Sequence, residues 1–322
     1  MNTLPMSSGG KGNTWTGVAC GMGAGALWGL VFLAPELVRE FSPLLLTIGR
    51  YLCYGLIAAA LIAPRWRSLA TRIPRRQWWN LVWLAFVGNT LYYLLLASAV
   101  QIGGIAMTSL VIGFLPVAVT VVGSRDHGAV PLRKLLPSLL LCAAGAICIG
   151  WQAIAGPSTG SGSRQVIGLL CAIGALASWT SYAIGNARSL VRLEHISSHD
   201  WSLLTGLVTG AQSLLLIPFA LALNDTSHPI DSWARLAAVS AGVAVFASIT
   251  GNALWNRMSR LLPLTLVGQM ILFETLFALL YGFLWERRLP TWLEIAALAF
   301  VVMSVLTCLA AHRKPVVIEP AA

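Results

Sequence analysis

Residues 17–28 read GVACGMGAGALW and residues 168–179 read GLLCAIGALASW. At an offset of 151, Gly17 falls on Gly168, Cys20 on Cys171, Gly23 on Gly174, Ala24 on Ala175, Ala26 on Ala177 and Trp28 on Trp179. Both stretches are uncharged and apolar. In the first, Gly17, Gly21, Gly25 and Gly29 recur every fourth residue, which puts glycine along one helical stripe where a neighbouring backbone can come close. The correspondence continues outward. Gly88 and Asn89 fall on Gly251 and Asn252, Leu91 on Leu254 and Tyr92 on Trp255, at an offset of 163. Gly123 falls on Gly282 and Pro131 on Pro290, at an offset of 159.

Composition names the solvent. Of the 322 residues, 57% are hydrophobic and 10% charged, where soluble domains carry about 25% charge. A spanning helix needs about 20 apolar residues. Such runs fall at residues 15–34, 43–63, 78–100, 104–123, 134–154, 166–187, 201–223, 235–257, 263–283 and 292–311. The expected fold is therefore all-α, a polytopic membrane protein with ten transmembrane helices. The first run is full length and lacks the short core and small-residue cleavage site of a signal peptide, so it is expected to stay in the membrane.

The chain divides into a flexible N-terminal tail (1–14), a five-helix repeat (15–155), a Gly/Ser/Pro linker (156–165), a second five-helix repeat (166–311) and a C-terminal tail (312–322). Five is odd, so the second repeat must enter the membrane upside down. Inverted repeats are a signature of secondary transporters, in which substrate sits near the midplane and access alternates as the halves rock.

Orientation follows from Lys and Arg. Fifteen of them fall on the side that holds the N-terminus, five on the other, and Arg50 lies within the second helix. The positive-inside rule then puts both termini in the cytoplasm. The net charge of +10 is accounted for by these loops and calls for no nucleic acid. Trp15, Trp66, Trp78, Trp79, Trp151, Trp201, Trp233, Trp285 and Trp292 fall near helix ends, as an interfacial belt requires.

Trp28, Trp179 and Trp255 sit further inside. Trp28 and Trp179 occupy equivalent places in the two halves, and each could line the pathway and help close one mouth, or only fill space. Asn89, Tyr92 and Tyr93 share a helical face, and Asn252 with Trp255 repeats the arrangement. An amide in lipid must find a partner, so Asn89 and Asn252 read equally as interhelical bonds or substrate contacts. Trp179, Tyr182 and Asn186 form the most polar-aromatic stripe of the chain. On the ninth helix, Gln269 and Glu274 are embedded in apolar sequence. Glu274 is the one acid near the middle of any predicted helix, which makes it a functional candidate by default. It could bind a substrate ammonium, carry a proton, or pair with Arg50, which reads more readily as structural than as a substrate ligand.

The histidines lie in loops or at the C-terminus, and the six cysteines lie in apolar runs without metal-ligand spacing. No nucleophile–base pair or intramembrane carboxylate pair is visible, nor a phosphate-binding Gly-Lys-Ser/Thr loop. No catalytic residue, metal or cofactor is expected, and an enzyme is disfavoured against a transporter.

Arg50 after Ser42 and Pro43, Phe114-Leu115-Pro116, and Gly282 with Glu286 before Pro290 resemble the drug/metabolite transporter superfamily, of the ten-helix type with two EamA-like halves. Trp179 with Tyr182, Trp255-Asn256 and Val267-Gly268 are similar to the YddG-type aromatic amino-acid exporters. Glu274 departs from that pattern, which has an uncharged residue or proline there. The resemblance implies a multi-pass plasma (inner) membrane protein that exports amino acids, aromatic or otherwise apolar, by alternating access. Export of other small metabolites or drugs on the same scaffold is the alternative. The expected partners are the small molecule and the lipid bilayer, and a monomer is compatible with all of this.

Overall fold

A computed structural model describes residues 11–123, 132–155, 162–193, 196–261 and 264–311. The described residues form helices joined by short connections, with no strand among them. The helices are α1 (Lys11–Leu37), α2 (Pro43–Ile62), the short α3 (Trp66–Arg72), α4 (Arg75–Ala85), α5 (Leu91–Gly103), α6 (Ile105–Ile112), α7 (Leu115–Gly123), α8 (Leu132–Ala155), α9 (Gly162–Arg192), α10 (Ser198–Leu223), α11 (Ile230–Val243), α12 (Asn252–Leu261), α13 (Leu264–Glu286) and α14 (Trp292–Ala311).

Their starts have local causes. Ser42 accepts a bond from the Leu45 amide with Pro43 in the first turn of α2, which satisfies a donor the helix leaves orphaned. Ser197 does the same for Asp200 at α10. Thr291 and Glu294 form a reciprocal capping box at α14. At the other end of the scale, Gly104 has φ +87°, a left-handed turn that glycine takes without a Cβ clash. It ends α5 and starts α6 with no intervening loop.

Six helical segments are long and apolar enough to cross a bilayer: Trp15–Leu37, Pro43–Arg72, Arg75–Gly103, Ser163–Asn186, His199–Leu223 and Ile230–Met258. Ile105–Val119 and Trp292–Cys308 are shorter apolar helices. Three departures from the predicted ten matter. The third and eighth predicted helices are interrupted by π-helical turns at Phe86–Thr90 and Ala244–Gly251. The fourth breaks at Gly113-Phe114, where Pro116 enters the first turn of α7. The predicted loop after α2 is itself helical, with α3 laid down by residues 66–72. The linker residues 156–161 and both predicted tails beyond 11–311 lie outside the described residues.

The most extensive packing is α2 on α10, α1 on α13, α8 on α14 and α5 on α9. When the first five predicted spans are exchanged with the second five, α2–α10 and α8–α14 map onto themselves. The α1–α13 contact maps onto α9 with α6 and α7, and α5–α9 maps onto α12–α1; all of these are observed pairs. At the α2–α10 crossing, Gly55 faces Gly210 so closely that a Cβ on Gly55 would lie 2.7 Å from the Gly210 Cα. The predicted glycine stripe of α1 faces α13, with Gly21 on Met270, Gly25 on Phe273 and Glu274, and Gly29 on Phe277 and Ala278. Large apolar side chains such as Leu140, Ile147, Leu215, Phe219 and Leu284 point outward, as they must when the surrounding medium is lipid.

Candidate functional site

The two π-helical turns lie at corresponding places in the halves, each just ahead of or containing the Gly-Asn pair of the sequence repeat. A π turn shifts the backbone bonding pattern and is common at functional sites. Each has a carbonyl that takes a side-chain donor from the first helix of the opposite half. Trp28 Nε1 on α1 donates to the Ala247 carbonyl at 3.0 Å. Ser178 Oγ on α9 donates to the Val87 carbonyl at 2.6 Å. Rings press against the adjacent glycines: Trp28 covers Gly251, and Tyr182 covers Gly88. Trp28 also stacks on Trp255, with centroids 5.0 Å apart, and Trp179 meets Tyr182 edge-on at 5.8 Å.

Between these turns stands a group that sequence reasoning placed only in part. Arg50 on α2 is 8% exposed. Its guanidinium lies over the Tyr93 ring at 4.2 Å and against Tyr51 at 5.1 Å. Tyr51 and Tyr93 meet edge-on. Nη2 reaches Ser248 Oγ of the second π turn at 3.4 Å, while Nε and Nη1 are buried with no hydrogen-bond partner. The Tyr93 hydroxyl, also buried, faces the same guanidinium without completing a hydrogen bond. Glu274 of α13 is half-buried, within electrostatic reach of Arg50 and Tyr92. Tyr54 and Tyr182 join the group, each within electrostatic reach of Tyr51. Five of the six tyrosines thus gather about one buried cation.

The predicted site residues fall into three sets. Trp28, Tyr92, Tyr93, Trp179, Tyr182, Trp255 and Glu274 surround this centre or the turns beside it. The three asparagines are engaged in the protein. Asn89 Nδ2 donates to Thr209 of α10 at 3.1 Å, Asn252 Nδ2 donates to the Ser248 carbonyl at 2.8 Å, and Asn186 Oδ1 accepts from Trp201 Nε1 at 2.7 Å. Gln269 lies on α13, with its side chain outside the described residues. Sequence reasoning gave no role to Tyr51, Tyr54 or Ser248. Arg50-Tyr51 followed by Tyr54 on one helix was the available signal, a charge flanked by aromatics within an otherwise apolar run.

A second feature is a cavity of about 600 Å³ where α5 meets α6 and α13 meets α14, lined by Met107, Gln152, Gln165, Glu286, Arg288 and Glu294 among others. Arg288 donates from both terminal nitrogens to Glu294 at 2.6 and 2.7 Å, and from Nε to Glu286. Bonding to Glu294, reinforced by Glu286, holds the Arg288 guanidinium above its ordinary range despite partial burial. These charges are mutually satisfied and brace the α13–α14 connection.

A bundle of long apolar helices, broken at matched points around a buried polar-aromatic centre, defines the class of membrane transporters. The chain belongs to the EamA-like transporter family, whose model matches it at residues 15–151 and again at 166–310. It is 33% identical over 313 residues to inner membrane protein YtfF of Escherichia coli (strain K12), covering 93% of this chain and 96% of the relative. It is 27% identical over 285 residues to the uncharacterized transporter YdeK of Bacillus subtilis (strain 168), covering 86% and 89%. A solved crystal structure superposes with a TM-score of 0.59 at 19% identity, covering 93% of this chain and 99% of the other, which establishes a shared fold. The chain is a multi-pass protein of the inner membrane. Family and relatives point to transport and away from catalysis.

Proposed function

We propose that this chain is a secondary transporter that exports aromatic or other apolar amino acids by alternating access. In this reading ten spans form two inverted five-helix repeats, both termini are cytoplasmic, and the substrate sits between the repeats. The Lys/Arg asymmetry supports the orientation, and the doubled family match with the exchangeable helix contacts supports the repeats. The observation that carries the substrate class is the buried centre of Arg50, Glu274 and the tyrosines. Rings supply an apolar, stacking surface for a side chain, and two opposite charges supply ends for a zwitterion.

The two π turns support the rocking part of this reading. The π turns at Phe86–Thr90 and Ala244–Gly251 each carry a carbonyl bonded across to the other half. Breaking one such bond while the other holds would let one mouth open while the other stays shut. Trp28 and Trp179, at equivalent positions, then serve opposite mouths.

Counterflow into liposomes containing the pure protein tests the reading, with a panel of labelled amino acids and of unrelated small metabolites. Exchange of phenylalanine, tryptophan, leucine or their like is the expected result. Absence of exchange for all aromatic and apolar amino acids sinks the substrate class, and exchange of unrelated metabolites in their place moves the chain to the broader exporter role.

A further inference from the structure

Arg50 is an expensive residue to keep as it is. A charged side chain at the centre of a spanning helix costs about 2.5–3.5 kcal/mol on insertion scales. Stacking on tyrosine returns part of that, since a cation over an aromatic face gains about 0.5–2 kcal/mol. The rings cover the face of the guanidinium, however, and its N–H groups lie in the plane. Two of its three nitrogens are buried without a partner, and the third reaches a neutral hydroxyl at 3.4 Å. A stacked guanidinium with open in-plane donors is the arrangement that receives a planar carboxylate. Among the described residues Glu274 makes no ion pair or hydrogen bond, although it stands within electrostatic reach of Arg50. Its backbone is held against α1 at Gly25, and the acid belongs to the second half of the chain while Arg50 belongs to the first.

We propose that Arg50 receives the substrate α-carboxylate and Glu274 the substrate ammonium, so that one zwitterion bridges α2 of the first repeat to α13 of the second. This rests on the amino-acid reading above and goes further by giving each end of the substrate its residue. It also gives a reason why a loaded protein would move as a unit. With a zwitterion bound, both charges are compensated by one ligand that spans the two halves. A ligand lacking either charge leaves one of them bare.

The test is competition in wild-type counterflow. Labelled phenylalanine is the tracer, and its competitors are unlabelled phenylalanine, its methyl ester, 3-phenylpropionate and phenethylamine. Phenylalanine should compete at least about ten-fold better than each of the three, a factor set by one charged contact. In Arg50→Gln the advantage over the ester and the amine should vanish while the advantage over 3-phenylpropionate persists. In Glu274→Gln the pattern should reverse. Arg50→Lys should restore part of the carboxylate preference, which a residue serving only to pack on Tyr93 would not produce. Wild-type protein that exchanges phenylalanine yet accepts the ester and 3-phenylpropionate equally well overturns the assignment and leaves the transport reading intact. That comparison requires no variant to fold. Absence of phenylalanine exchange in the wild type instead overturns the transport reading itself.

Discussion

At the scale of single residues, the same side chain often holds structure and lines the centre. Trp28 donates to Ala247 and stacks on Trp255. Trp28→Phe keeps most of the ring contact and removes the donor, leaving the Ala247 carbonyl of the π turn without its side-chain partner. The expected cost is about 1 kcal/mol, read as a lowered melting temperature in detergent, with a larger effect on transport rate than on stability if the bond latches one mouth. An unchanged rate would remove Trp28 from the gating account. The asparagines illustrate the opposite outcome. Asn89 and Asn252 repeat in sequence, yet one bonds across to Thr209 and the other back to its own helix at Ser248. Sequence symmetry preserved the amides without fixing what they bond, because the bonding partner is chosen by the neighbouring helix.

At the scale of elements, close backbone approach sets the packing. Helices in lipid gain little from hydrophobic burial and associate through fit. A Cβ on Gly55 would meet the backbone of Gly210 at 2.7 Å, whereas one on Gly242 of α11 would meet nothing within 4 Å. Gly55→Ala should therefore destabilise by about 1–3 kcal/mol through overpacking, while Gly242→Ala should stabilise by about 0.5–1 kcal/mol through helix propensity. Thermal unfolding of the two purified variants side by side checks the signs. Equal shifts would show that α2 and α10 do not cross where described. The π turns belong to this scale too. FVGNT at 86–90 and AVFASITG at 244–251 carry weak helix formers such as Gly88, Asn89 and Gly251, but such residues do not by themselves specify a π turn. Their extra residue per turn is accommodated by packing and by donors from α9 and α1, so it was illegible in the sequence.

At the scale of the molecule, the exchange of contacts between halves is what an inverted duplication predicts, and orientation is its testable consequence. A C-terminal fusion should fluoresce as green fluorescent protein and be inactive as alkaline phosphatase, because both termini are expected in the cytoplasm. Phosphatase activity at the C-terminus would reverse the orientation, and opposite locations for the two termini would make the span count odd. The cavity beside Arg288 and Glu294 then lies at the outer end.

Much of this protein was legible in its residues alone. Apolar runs of spanning length determine the solvent and the helices, since no other backbone arrangement of such segments satisfies its polar groups in lipid. The matched Gly, Asn and Trp positions determine that the halves correspond. Tyr92, Tyr93, Tyr182 and Glu274 could be nominated from their place in apolar sequence. What only the tertiary structure decided is which of these meet. Arg50, Tyr51 and Tyr54 come from α2, Tyr92 and Tyr93 from α5, Tyr182 from α9, Ser248 from the second π turn and Glu274 from α13. These residues are up to 224 positions apart in the sequence. Helical periodicity fixes the face each side chain takes on its own helix but carries no record of the neighbour across the interface, and that neighbour makes Arg50 a stacked, partly unsatisfied cation where the chain's two halves join.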